Sequence, residues 1–287
     1  MAAIDYWSNG FTPLYSDRWS HAVESQGIPL KVRSDPSDSF AEPGDFVAKL
    51  DELDVSTVLL PTVDDPDSAG DLEYERFATS TATLRDLGRT YPGRFGGLWT
   101  FDPRGGYSSV RRAAERLDEG LFVGLHLHTH SWDRGFDHRD LYPFYATAAE
   151  RGLAVVVQAG SSGGLMPSEC GRPIGVDRPA LYFPELRFVL SHTGWPWVDE
   201  AIAMALKHPN VFLGTAAYPP RHWSPELLQF LAGPGRGKVL FGTSFPVVGH
   251  RHALGQVADL NLSEETKVAL LGGAATRVFP RIVEGVE

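Results

Sequence analysis

The chain has 287 residues, 43% hydrophobic and 22% charged, with a formal net charge of −10. That length exceeds a minimal domain and suits one (β/α)8 barrel, which typically needs roughly 250 residues. The acidic balance argues against a nucleic-acid partner or an anionic membrane surface, yet leaves room for a small anionic substrate held by local arginines.

Taken in order, residues 2–6 form a short apolar start and a first strand. Residues 12–44 are rich in Pro, Ser and Asp without clear periodicity, and read as a long excursion that serves as a candidate lid or rim. A helix is expected over 43–53, with Phe46, Val47 and Leu50 on one face. The run VSTVLL at 55–60 is a buried second strand, followed by a long helix over 72–91. The third strand is expected at 95–101, a helix at 107–119, the fourth strand at 122–128, a helix at 137–151, and the fifth strand at 153–158. A helical stretch at 175–183 leads to the sixth strand at 188–192. A helix over 196–207 follows, with Pro196 in its first turn. The seventh strand at 211–214, the eighth at 238–242 and a closing helix at 263–279 complete the series. Eight apolar strands alternate with helices along residues 1–287 with no linker, so one domain of parallel strands and right-handed crossovers is predicted, a (β/α)8 TIM barrel.

Cys170 is the single cysteine, so no intrachain disulfide is expected and a cytoplasmic location is. The opening residues MAAIDYWSNG lack a basic region followed by an apolar run, so no signal peptide is expected. No stretch approaches 18 apolar residues, so no membrane contact is expected.

In such a barrel the chemistry sits at the carboxyl ends of the strands. Those ends carry Trp7 and Asn9, His126, His128 and His130, Gln158, His192, Tyr218 and Ser244. Strand alternation puts His126, His128 and His130 on one side and Leu125 and Leu127 on the other, so the imidazoles should point into the barrel. His192, ending an apolar strand, is a residue whose pKa modest surroundings can move across neutrality. The plain structural reading is a hydrogen-bonded histidine that caps a strand, and an interior polar layer for the other three. Arg134, Arg172 and Arg221 follow strand ends and are candidates for a substrate carboxylate, although each is individually more at home as a surface arginine. Trp7, Phe245 and Trp195 are expected to wall a partly apolar pocket.

Several segments together resemble the amidohydrolase superfamily, in the amidohydrolase-related group that includes 2-amino-3-carboxymuconate-6-semialdehyde decarboxylase. They are Ile4-Asp5, Gly124-Leu125-His126-Leu127-His128, residues 155–160, Phe183-Pro184-Glu185-Leu186, Ser191-His192-Thr193-Gly194, His208-Pro209-Asn210-Val211 and residues 240–246. The resemblance spans nearly the whole chain and implies a distorted (β/α)8 barrel. It also implies a metal centre built from an H-x-H at the first strand, a histidine ending the fifth and an aspartate ending the eighth, with a catalytic or ligating histidine ending the sixth. In this chain the corresponding positions hold Trp7, Asn9, Gln158 and Ser244, and only His192 agrees. Indole supplies no ligand, and Asn, Gln and neutral Ser are poor ones, so no metal is expected there. The indole of Trp7 is expected to fill part of that volume.

Two routes follow. In a metal-free site, for which the superfamily's 2-pyrone-4,6-dicarboxylate lactonase is a precedent, His192 acts as general base or acid. His128 and Gln158 then orient a carbonyl or stabilise developing charge, with Trp7, Asn9, His126, His130, Arg172, Tyr218 and Ser244 around the substrate. In the alternative, a divalent ion such as zinc has moved to His126, His128 and His192. With adjacent strands about 4.8 Å apart, that requires closing a reach of about 10 Å. Hydrolysis of a small carboxylated, lactone or amide substrate is the first expectation and decarboxylation the second, since fold does not choose among them. A cyclase or isomerase is open, as is a non-catalytic barrel that binds a small molecule. A homodimer contact through apolar helical faces such as the turn at 195–197 is a further expectation.

Overall fold

The computed structural model describes residues 2–25, 27, 39–66 and 77–284. Among them, eight parallel strands follow one another in chain order around a nearly closed barrel. They are β1 (Ala3–Asp5), β2 (Val55–Val63), β3 (Phe95–Thr100), β4 (Phe122–Leu127), β5 (Ala154–Gln158), β6 (Arg187–Ser191), β7 (Val211–Gly214) and β8 (Val239–Leu240). A two-residue strand, Thr79–Ser80, pairs with the end of β2 outside this series. The seam between β8 and β1 is stitched by single bonds rather than a ladder. The amide of Tyr6 donates to Phe241 O at 3.1 Å, that of Ser244 to Trp7 O at 2.8 Å, and that of Asn9 to Phe245 O at 2.8 Å.

Alternation along the strands divides the core in two. Leu125, Leu127, Val155, Val157, Phe188, Leu190 and Leu213 face outward and join the helices in one apolar layer. Leu59, Leu98, Val156, Val189, Phe212 and Leu240 occupy the intervening positions and fill the barrel, together with Ala274, Val278 and Phe279 from the last helices. The predicted side for Leu125 and Leu127 is therefore the observed one. The helix Pro43–Glu52 buries Phe46, Val47 and Leu50, as its periodicity predicts.

The helical connections depart from expectation in several places. The excursion at 12–44 contains a helix, Pro13–Ser25. It docks through Tyr15 and Trp19, one turn apart, whose rings lie 6.1 and 5.1 Å from that of Phe77. The rest of that excursion, residues 26 and 28–38, lies outside the described residues. The helix expected over 72–91 begins at Thr81, where Ser80 accepts a hydrogen bond from Thr83 N and so caps it; its expected first residues, 72–76, lie outside the described residues. The helix after β6 starts at Val198 with Asp199 and Glu200 in its first turn, so Pro196 belongs to the preceding turn. The closing helix is broken by a π-helical turn, Ala269–Gly273, where Leu270 O accepts from Phe241 N at 3.1 Å. Helices Pro225–Ala232 and His250–Asp259 complete the outer layer.

Among the described residues no helix is long and apolar enough to cross a membrane.

Candidate active site

The carboxyl ends of the strands are where the backbone becomes strained. His192 and Thr193 after β6, Ala217 after β7 and Ser244 after β8 all adopt positive φ, between 53° and 65°. Such conformations in side-chain-bearing residues cost free energy and gather at functional sites. At β6 this kink turns the His192 ring back toward its neighbour, so that Nδ1 lies 2.9 Å from Ser191 Oγ.

Strand β4 delivers the other imidazoles. His126 is its fifth residue, fully buried, with Nδ1 2.9 Å from Thr100 Oγ1 of β3. His128 follows the strand, and its Nδ1 lies 2.6 Å from Ser131 Oγ. His130 does not continue the alternation, because the chain turns into a 3-10 helix, Thr129–Trp132. Its ring is nevertheless the third of a row, each tilted against the next. The His126 and His128 centroids are 6.4 Å apart, and those of His128 and His130 are 5.5 Å apart. A carbonyl can only accept, so His130 Nε2 carries a hydrogen and donates it to Gly160 O at 2.9 Å. That leaves Nδ1 of His130 as a buried acceptor with no hydrogen-bond partner among the described residues, and Gln158 Oε1 at the end of β5 is another.

Trp7 ties the two groups of histidines together. Its ring meets His126 edge-on at 4.5 Å and His192 edge-on at 4.9 Å. The indole Nε1 donates to Asn9 Oδ1 at 3.1 Å, and Asn9 Nδ2 donates to Ser244 Oγ at 2.9 Å and to Ser244 O at 3.1 Å. The expected site residues Trp7, Asn9 and Ser244 are thus linked to His126 and His192, and Gln158 is buried at the end of β5.

Burial sets the electrostatics. It lowers the pKa of His126 to about 3, with a smaller contribution from His192. It lowers that of His192, which keeps some accessible surface, to about 3 as well, and His130 adds to the effect. His128 is pushed well below its ordinary value by burial and by its three imidazole neighbours. His130 is lowered by burial, partly offset by the Gly160 carbonyl. All four rings are neutral at pH 7, each able to offer one N–H and one lone pair.

Other expected members have partners of their own. Arg172 pairs with Glu200 and Glu169, and its guanidinium lies 5.6 Å over the Trp197 ring. Arg134 pairs with Asp140 at 2.9 Å, and Arg221 Nε donates to His222 at 3.0 Å. Phe245 does not wall the pocket: it faces the outer core, against Phe46 and stacked on His250 at 5.0 Å. Trp195 is 51% exposed, and Tyr218 lies 6.3 Å from it with its carbonyl bonded to Trp223 Nε1. The sequence reading missed Tyr6 and Ser191. Tyr6 Oη lies 2.6 Å from Ser191 Oγ, and the available signal was a serine closing an otherwise apolar strand.

The Trp7 side chain offers no donor to a divalent ion. The indole N–H has no lone pair and is already given to Asn9. Among the described residues no three His, Cys, Asp or Glu side chains form a group that could hold a metal. The relocated alternative at His126, His128 and His192 is met by the Trp7 indole packed against two of its three rings.

A parallel barrel with polar residues and strained backbone at its carboxyl rim defines an enzyme-type (β/α)8 site. The amidohydrolase family model matches residues 49–281, and the chain belongs to that family. A search of curated proteins finds no match. Among solved structures, an uncharacterised TIM-barrel protein from Bordetella bronchiseptica is 19% identical with a TM-score of 0.78, over 99% of this chain and 100% of its own. 5-Carboxyvanillate decarboxylase from Sphingomonas paucimobilis is 19% identical with a TM-score of 0.67, over 97% and 99%. 2,6-Dihydroxybenzoate decarboxylase from Rhizobium is 14% identical with a TM-score of 0.68, over 98% and 99%. At these identities the likeness is one of fold.

Proposed function

We propose that this amidohydrolase-family chain is an enzyme acting on a small carboxylated substrate by metal-independent acid–base and hydrogen-bond chemistry, with removal of a carboxyl group as the reaction. The observation that carries the reading is the group of four neutral imidazoles at the strand ends, His126 and His192 against Trp7 and His128 and His130 continuing in a row from His126. Hydrolysis asks for a base near the working pH to activate water. Decarboxylation asks instead for stabilisation of developing charge and for a proton. An anionic substrate supplies the charge that draws protons back onto buried imidazoles. As the carbon–carbon bond breaks, CO2 leaves and the electron pair stays on the substrate carbon. That carbon then takes a proton from an imidazolium, which solvent restores. Imidazole N–H groups stabilise the charge in between. The two decarboxylases among the solved structures of the same fold support this choice over the hydrolase first expected.

The test is turnover of carboxylated phenols and of lactones by protein dialysed against a chelator, with CO2 release measured separately from ester cleavage. Activity on the carboxylated phenols that survives dialysis and falls at least about 100-fold in His192→Asn is expected, the usual worth of one positioned hydrogen-bond donor to developing charge. Cleavage of lactones alone would return the reading to hydrolysis. Activity lost with the chelator and restored by a divalent ion would end the metal-independent reading. Tight binding of these compounds without turnover would favour a binding barrel.

A further inference from the structure

We propose that Tyr6 and Ser191 are positioning residues that lock His192 in the tautomer with its hydrogen on Nε2, so that His192 meets its ligand as an N–H donor and not as a lone-pair base. The inference deepens the functional reading above and rests on it for the role of His192.

Tyr6 is fully buried, and burial raises its phenol well above the usual range, so the ring keeps its O–H. The backbone N–H of Ala216 donates to Tyr6 Oη at 3.4 Å. That N–H is a donor, so it uses a lone pair of the oxygen and cannot take the phenol hydrogen. The one acceptor left for the phenol hydrogen is Ser191 Oγ, at 2.6 Å. Having accepted there, the Ser191 hydroxyl gives its own hydrogen to its remaining partner, His192 Nδ1, at 2.9 Å. A neutral imidazole that accepts at Nδ1 carries its hydrogen at Nε2. His192 is held neutral by its burial.

The chain is built into the barrel. Gly214 of β7 and Gly242 after β8 flank the Tyr6 ring, and a Cβ at either would overlap it. Any larger residue at those positions would push the phenol off Ser191. His130, whose hydrogen is fixed on Nε2 by Gly160 O, instead keeps its acceptor at Nδ1.

The test needs no substrate. Protein labelled with 15N-histidine is studied by two-bond 1H–15N correlation, which reads tautomers directly, and the His192 signal is the one lost in His192→Asn. The wild type is expected to show the Nε2–H pattern. Ser191→Ala should move the ratio toward Nδ1–H by about fivefold, the worth of one neutral hydrogen bond. Tyr6→Phe should do so less, because the freed hydroxyl still reaches Nδ1, and Ser191→Thr should restore the wild-type pattern. A wild-type Nδ1–H pattern overturns the inference, even where a variant fails to fold. So does an unchanged ratio in both Ser191→Ala and Tyr6→Phe. Unchanged turnover in His192→Asn would instead remove His192 from the reaction and leave the spectrum to decide the tautomer alone.

Discussion

The ring of Trp7 meets that of His192 edge-on at 4.9 Å while its Nε1 donates to Asn9 Oδ1 at 3.1 Å. One side chain therefore shapes the imidazole layer and anchors the β1–β8 seam through Asn9 and Ser244. Trp7→Phe keeps an aromatic edge for the histidines but leaves a buried Asn9 oxygen without its donor. A loss of about 1–3 kcal/mol is expected, the cost of an unsatisfied buried group. Trp7→Ala also opens a cavity and should cost about 3–5 kcal/mol. Urea unfolding of the three proteins measures both, and equal stability of wild type and Trp7→Phe would show that the indole hydrogen bond contributes nothing.

The histidine layer gives stability a pH dependence of definite sign. His126 and His192 are held at about 3 when folded and return toward their ordinary value near 6.5 when unfolded. Between those values the unfolded chain binds more protons, so stability is complete above about pH 6.5 and is lost as pH falls toward 3. Each such ring adds a slope approaching about 1.4 kcal/mol per pH unit. Urea midpoints from pH 7.5 to 5 should fall accordingly, and His126→Gln should flatten the fall. A pH-independent midpoint over that range would contradict the buried, neutral layer.

How far the sequence reveals this molecule depends on the range of each interaction. Runs such as VSTVLL and LAVVVQ are buried on both faces in β2 and β5, and that continuous apolarity is what marks a parallel strand. Strand ends then follow, and with them the positions of His126, Gln158 and His192. The helix Pro13–Ser25 left no such mark, since it docks through Tyr15 and Trp19 rather than an apolar stripe, and its Leu14 is 60% exposed. Alternation placed His130 on a strand that in fact ends at Leu127, three residues earlier. The direction of Phe245 and the bond from Tyr6 to Ser191 arise from closure of the barrel. Those residues are far apart in the chain, and no local pattern encodes their meeting.

Asp5 is fully buried just beneath the rim and holds the seam from the outer side. Its Oδ1 accepts from the amides of Trp7 at 3.0 Å and Thr243 at 3.1 Å, and its Oδ2 accepts from Thr243 Oγ1 and lies 2.8 Å from His250 Nε2. Asp5→Ala leaves all four groups without an acceptor, and a loss of about 3–5 kcal/mol is expected. Glu52→Ala, which removes the exposed partner of Arg251, serves as control and should leave the urea midpoint nearly unchanged. Comparable losses in the two variants, measured by urea unfolding, would show that the buried network carries no special weight.

Gly171 sits against the third histidine of the row, and its lack of a side chain is a requirement there. A Cβ at this position would overlap both Gly160 O and His130 Nε2, the two atoms of the bond that fixes the His130 tautomer. Gly160 itself has φ +87° and accepts no larger residue without strain, so the backbone has little freedom to retreat. Gly171→Ala must therefore push the His130 ring away from Gly160. The expected cost is about 1–3 kcal/mol, as for other overpacked interiors. Because the hydrogen on Nε2 then loses its acceptor, the His130 ring should also populate the Nδ1–H form. Ring 15N shifts of His130 and the urea midpoint read these two effects separately. A stable Gly171→Ala protein with an unaltered His130 signal would mean that the loop moves freely enough to spare the bond.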